Sequence, residues 1–173
     1  MMRWRLALAA AALSAALGCG YHVSGRADLL PKNIRTIAVP AFGNATTRYR
    51  LADHLSGAVT REFLTRTRYR IVADPNEADA ILQGSLVNYS SYPAVFDPAT
   101  GRASGVLMAA TLQIILRDRA TGTVIFTRPS MEVRERYEIA IDPRAYFEES
   151  DTAVERMSRE VARSIVSAVL EKF

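Results

Sequence analysis

The side chains best suited to chemistry are few in this sequence. There is one cysteine, Cys19, and there are two histidines, His22 and His54. A lone cysteine excludes an intrachain disulfide and a cysteine-rich zinc site. What it offers is a single thiol nucleophile, available for alkylation. His22 lies in a stretch punctuated by glycine and proline, and His54 on the flank of an apolar helical stripe. Both read as solvated or partly packed imidazoles. No H-E-x-x-H, G-x-S-x-G, P-loop or G-x-G-x-x-G pattern occurs, so the common hydrolase and nucleotide-site constellations are missing. Glu148, Glu149 and Asp151 crowd together, but the start of a helix explains them, because acid suits the positive end of the helix dipole. The chain does not read as an enzyme.

The abundant ionisable residue is arginine. After residue 18 there are 18 Arg and only 2 Lys, Lys32 and Lys172. Arginine presents a planar fork that pairs bidentately with phosphate or carboxylate, whereas lysine is a compact point charge. Arg48, Arg50, Arg61, Arg66, Arg68 and Arg70 gather around one predicted helix. Arg102 sits on a turn, and Arg117, Arg119, Arg128, Arg134 and Arg136 decorate two long strands. These read either as a surface for an anionic partner or as solvated faces paired with acid, as in Arg134-Glu135-Arg136.

The elements that must position these groups begin after an address. Of residues 1–18, 14 are hydrophobic, and they include the only tryptophan, Trp4. Arg3 and Arg5 precede an apolar run from Leu6 to Leu17. As a helix that run is about 18 Å long, too short for a hydrocarbon core of about 30 Å, so it reads as a secretory signal peptide. Ala16-Leu17-Gly18-Cys19 resembles a lipobox, in which diacylglycerol alkylates the cysteine thiol before cleavage. Ala16 and Leu17 stand in the opposite order to the usual pattern. The alternative is an ordinary cleavage at Ser14-Ala15-Ala16, with Cys19 left as a free thiol. Gly20 is not Asp, which by resemblance to Gram-negative lipoproteins points to the outer membrane. The covalent lipid would be the only anchor, since no later segment approaches 18 consecutive apolar residues, and no other cofactor is implied.

The remaining 155 residues carry 20 Lys+Arg against 18 Asp+Glu, so nucleic acid is not implied by charge. Mean hydropathy over the whole chain is near zero and argues against disorder; the length suits one domain. Residues 19–33 read as a lipidated tether and 34–173 as a single domain. Strands are predicted over Ile34–Val39, Tyr69–Ala73 and Ala80–Tyr89, the last with Ile81, Gln83, Ser85, Val87 and Tyr89 on one face. Arg48–Arg66 reads as a helix with Leu51, Leu55, Ala58, Val59 and Phe63 on its apolar side and Thr47 as its N-cap.

From Ser104 to Arg117, apolar residues alternate strictly from Val106 to Leu116, the mark of a half-buried strand. Thr123–Ile139 is its partner. There Val124 and Phe126 set one parity and Met131, Val133, Tyr137 and Ile139 the other, so a β-bulge is predicted near Pro129-Ser130. Asp97-Pro98-Ala99-Thr100-Gly101 and Asp118-Arg119-Ala120-Thr121-Gly122 predict two turns ending in left-handed glycine. A final helix, about Glu148 to Lys172, carries the stripe Val154, Met157, Val161, Ile165 and Ala168. The order β-α-β-β-β-β-α predicts an α+β two-layer sandwich: a four- to five-stranded mixed or antiparallel sheet with two helices on one face.

Cys19-Gly20-Tyr21-His22-Val23-Ser24-Gly25, Leu30-Pro31 and Ile34 to Phe42 together resemble the opening of the LPS-assembly lipoprotein (LptE) family. Leu64 to Val72, Ala78 to Gly84 and Phe147-Glu148-Glu149 continue the likeness. The strand–helix–strand part is also similar to periplasmic domains of the CsgG and TolB kind. The LptE resemblance implies a non-enzymatic lipoprotein that plugs an LptD-like outer-membrane β-barrel, the LPS translocon, and binds lipopolysaccharide during its insertion. It makes Arg102, Arg117 and Arg119 the candidate LPS contacts. The expected hairpin loop Ser90–Ser104 adds Tyr92 and Phe96 beside Arg102. The alternative is a lipid-anchored binding or secretion-accessory domain.

Processing at Cys19 leaves a chain without tryptophan. The mature protein is therefore expected to emit as tyrosine, and mass spectrometry to find an acylated Cys19 at its N-terminus. Tryptophan emission, or an unmodified amine upstream or downstream of Cys19, overturns the lipoprotein assignment.

Overall fold

Burial on the sheet is decided by one strand that never loses its alternation. The computed structural model describes residues 30–138 and 143–172, with backbone alone for 143–150. The predicted signal peptide, most of the predicted tether, Cys19, His22 and Ile139 lie outside the described residues, as do the side chains of Glu148 and Glu149. The elements are β1 (Thr36–Ala38), β2 (Gly43–Asn44), α1 (Tyr49–Arg66), β3 (Arg70–Val72), a 3₁₀ turn (Pro75–Glu77), β4 (Ala80–Phe96), β5 (Ala103–Asp118), β6 (Val124–Glu138) and α2 (Pro143–Leu170). They form one six-stranded sheet of order β3-β1-β4-β5-β6, with β2 alongside β4. β1 runs parallel to β3 and β4, and β2 parallel to β4; the β4-β5-β6 meander is antiparallel. The α+β two-layer class is as expected. The addition is β2, where Gly43-Asn44, a pair of turn-like composition, pairs with Ser85 and Leu86.

Val106, Met108, Ala110, Leu112, Ile114 and Leu116 of β5 are all buried beneath the helices. α1 adds Leu51, Leu55, Ala58, Val59 and Phe63 to this core, and α2 adds Met157, Val161 and Ile165. On β6 the register slips between the pairs Leu112–Met131 and Ile114–Arg128, so Pro129 and Ser130 oppose a single residue, the bulge expected there. A further slip at Ile125 buries that residue and leaves Val124 exposed, reversing the parity read for Val124.

Two boundaries, the end of β4 and the start of α2, differ from expectation by more than two residues, and the cap of α1 differs as well. β4 continues seven residues past Tyr89, so the loop expected over Ser90–Ser104 shrinks to a turn between Phe96 and Ala103. That turn and the β5–β6 turn close as predicted: Gly101 and Gly122 have φ of +67° and +71°, which glycine adopts without penalty. The Asp97 and Asp118 carboxylates accept backbone N–H groups of their own turns, from Ala99 and Thr100 and from Thr121 respectively. Thr47 does not cap α1; the N-cap is Arg48, which makes no side-chain cap bond. α2 starts at Pro143, so Asp151 lies two turns inside it rather than at its first turn. Proline suits a first helical position, where the missing N–H has no partner to lose.

Gly84, mid-strand in β4, leaves room for Phe42, whose ring would lie 2.0 Å from any added Cβ. Near the other end, Asp79 clasps the parallel and antiparallel halves of the sheet. Its carboxylate accepts the Arg35 N–H and Thr36 N–H (both 2.9 Å) and the Thr36 hydroxyl (2.8 Å). Its carbonyl accepts the Arg119 N–H at 2.8 Å. The Arg35 N–H and the Thr36 hydroxyl and N–H, aided by the Arg119 charge, hold this carboxyl below its usual range.

A depressed folded-state pKa contributes stability that is present above the unfolded value of about 3.9 and is lost as pH falls through the lower folded value. Asp79→Asn is therefore expected to flatten the acid limb of the stability curve below about pH 4. Asp79→Ala should cost about 1–3 kcal/mol at neutral pH, read by urea denaturation; a wild-type midpoint in the Ala variant removes the clasp from the account.

Candidate functional site

Local turn chemistry brings two arginines to the mouth of α1. Asn44 Oδ1 accepts from the Thr46 N–H (2.9 Å) and hydroxyl (2.8 Å), and Thr46 Oγ1 accepts the Arg48 N–H (3.1 Å). The first turn of α1 carries no acid, so the positive end of its dipole and the two guanidinium groups reinforce one another.

Beneath this mouth β4 changes face. Its pairing with β5 slips between Leu86–Leu112 and Asn88–Thr111, leaving Val87 as an extra residue. Before the slip Leu82, Gly84 and Leu86 pair with the core positions of β5; after it Tyr89 and Ser91 pair with Ala110 and Met108. Tyr89 therefore belongs to the helix side of the sheet, not to the face of Ile81 and Gln83 as its sequence spacing suggests. Tyr89 packs against the core from there.

The result is a cleft of about 450 Å³ between the start of α1, α2 and the helix side of β4 to β6. Leu51, Met108 and Val154 give it apolar walls, Tyr49, Tyr89 and Tyr137 aromatic ones, and Arg48, Arg50 and Asp151 its charges. The Arg48 guanidinium carbon stands 5.9 Å from the centre of the Tyr89 ring, within range of a cation–π contact. Arg48 has no carboxylate partner among the described residues. Arg50 is forked onto Asp151, with Nη1 donating to Oδ1 and Nη2 to Oδ2, the latter at 3.0 Å. Pockets of this volume take small ligands. These walls suit an amphipathic anion, with its charged group at the arginines and its apolar body along the tyrosines and Met108. No cluster able to hold a metal ion occurs among the described residues.

The arginines singled out from sequence are dispersed. Arg102 lies in the β4–β5 turn, exposed, with Tyr92 and Phe96 exposed on the strand beside it. Arg117 is half-buried near the opposite end of β5, paired in register with Ile81 and Val124. Arg119, in the β5–β6 turn, donates from Nε to the Ala78 carbonyl at 2.6 Å, a link that ties this turn to the approach to β4. Roughly 50 Å of strand separates Arg102 from the other two, so the three do not form one site. His54 is exposed on α1. The sequence placed Arg48 and Arg50 in a helix-associated cluster but gave no means of joining them to Tyr89 and Tyr137.

No described helix is long and apolar enough to cross a membrane. The fold resembles those of several solved bacterial proteins. The rare lipoprotein B from Shewanella oneidensis aligns with a TM-score of 0.53 and 14% identity, over 79% of this chain and 95% of that one. An uncharacterized lipoprotein B from Nitrosomonas europaea gives 0.55 and 13%, over 83% and 85%. A leucine-to-methionine variant of the PelC dodecamer from Paraburkholderia phytofirmans gives 0.52 and 12%, over 82% and 92%. At these identities the likeness is one of fold. A comparison with the curated proteins finds no match. The family model described as LptE, Lipopolysaccharide-assembly, matches residues 34–169, nearly all of the domain described above, and the chain therefore belongs to the LptE family of lipopolysaccharide-assembly proteins.

Proposed function

We propose that this chain is a non-catalytic outer-membrane lipoprotein, held by lipid on Cys19, that docks with an LptD-like β-barrel and receives lipopolysaccharide at the α1 cleft. The observation that carries the reading is Arg48, a cation seated on the Tyr89 ring beside Arg50 and above apolar side chains. Lipopolysaccharide presents the complementary chemistry, phosphate groups joined to acyl chains. A guanidinium fork matches phosphate oxygens bidentately, and the tyrosines offer apolar bodies with polar tips.

The finer parts of this reading have separate support. A near-neutral domain whose uncovered sheet face bears Gln83, Ser85, Thr111, Gln113 and Thr127 in register suits the polar interior of a wide barrel. Arg102 and Arg117 serve as further anion contacts away from the cleft. Arg119 acts first through its bond to the Ala78 carbonyl, so its replacement should disturb the turn as well as any ligand.

Arg48→Ala is expected to weaken binding of lipopolysaccharide by about tenfold, the worth of one charge-assisted hydrogen bond, while Arg48→Lys recovers part of the loss. Displacement of a fluorescent lipopolysaccharide reads this directly, and equal affinity in the wild type and the Ala variant sinks the cleft as the binding site. For the partner, purification of the tagged full chain in mild detergent should bring down one large β-barrel in stoichiometric amount. Recovery of other envelope proteins without such a barrel favours a secretion-accessory role instead.

A further inference from the structure

The two arginines of the cleft are not equivalent, and the difference points to a control on its ligand. Arg48 faces an aromatic ring and has no carboxylate partner among the described residues. Arg50 has both terminal nitrogens turned onto the two oxygens of Asp151, a residue 101 positions away in sequence and on the opposing helix. Asp151 itself lines the cleft. We propose that Asp151 is an internal competitor: it occupies the anion-binding fork of Arg50, and a phosphate-bearing ligand must displace it to engage Arg48 and Arg50 together. This rests on the cleft being the anion site, and adds to it which group the ligand must exchange with.

The exchange is physically accessible. The pair lies at the surface, with the Arg50 and Asp151 side chains 72% and 47% exposed, so water and salt weaken it and either partner can swing away. The carboxylate supplies one charge. A phosphomonoester supplies about 1.5 to 2 near neutral pH, together with more acceptor oxygens, and so outbids Asp151 at the fork. Once displaced, Asp151 remains on α2 beside the bound anion and repels it. Both effects lower affinity, and the repulsion grows with the charge on the ligand. Binding and the α1–α2 bridge thus exclude each other, and by linkage each weakens the other equally. A ligand held this way can be released when the carboxylate returns.

The test uses the full chain in a non-ionic detergent at pH 8 and low salt, with phenyl phosphate as a doubly charged probe and methyl phenyl phosphate as its singly charged counterpart. Calorimetric titration should show Asp151→Asn binding phenyl phosphate about fivefold tighter than wild type, the effect of one unit charge removed from nearby. The gain for methyl phenyl phosphate should be smaller, and Asp151→Ala should behave like the Asn variant. Unchanged or weaker binding of phenyl phosphate in both folded variants, with wild-type binding intact and sensitive to Arg48→Ala, refutes the competitor while keeping the cleft. Failure of every variant and the wild type to bind either probe refutes the cleft reading itself, and the competitor with it.

Discussion

β5 takes no slip from Val106 to Leu116, so a neighbouring strand that gains a residue must turn its remaining side chains over. The period of a strand is two, and a single extra residue exchanges its faces. In β4 the extra residue is Val87, and its effect is to carry Tyr89 to the helix side, under Arg48. In β6 the extra step at Pro129-Ser130 brings Val133 and Tyr137 to that same side. The cleft consists of what those two slips deliver beneath the mouth of α1. Without the first, its cation would lose its ring; without the second, Tyr137 would face away from the helices.

The two slips differ in how plainly the sequence announces them. Pro129 cannot donate to a ladder, and the parity of apolar residues changes across it, so the β6 bulge is legible. Val87 leaves no such mark. Leu86-Val87-Asn88-Tyr89 alternates plausibly as one uninterrupted strand, and only pairing with β5 shows which residue is surplus. The same limit explains β2: two residues cannot display a period, and Gly43-Asn44 has turn composition, yet its neighbour Ala45 donates to the Leu86 carbonyl beside it. Long, strongly patterned elements such as β5 and the stripe of α1 were readable because burial along them repeats many times. The start of α1 is legible to within one residue but its cap is not, because Arg48 makes no side-chain cap bond, and the start of α2 is hidden because it begins at Pro143, ahead of the acidic cluster.

Arginine abundance posed a choice between an anion-binding surface and ordinary solvated faces, and the partners of each side chain divide the set. Arg66, Arg134, Arg156, Arg159 and Arg163 pair with Glu62, Glu132, Glu135, Glu155 and Glu160, mostly within one element. Such exposed pairs contribute little each and belong to the solvated reading. Arg156 is partly different, because it reaches from α2 to Glu135 and to the Arg136 carbonyl, and with Lys172 on the Ile125 carbonyl it fastens that helix along the outer edge of β6. Cations on edge carbonyls also discourage another strand from pairing there.

Arg35, Arg61, Arg68, Arg70, Arg102, Arg117, Arg128 and Arg136, like Arg48, make no ion pair among the described residues, so the lack of a glutamate does not by itself set the cleft arginines apart. Arg48 and Arg50 place like charges at the positive end of a helix, an arrangement that opposes the stability of α1 unless an anion is near. Asp151 answers one of those charges from across the cleft; nothing described answers the other with a carboxylate. A folded domain tolerates such an imbalance at modest cost when the groups are solvated. The imbalance sits beside a pocket with aromatic and apolar walls, and that coincidence separates these two arginines from the rest. The discriminating feature is therefore the setting of these two arginines, a ring and a contested carboxylate at the edge of one cleft. Residue counts along the chain could not supply it.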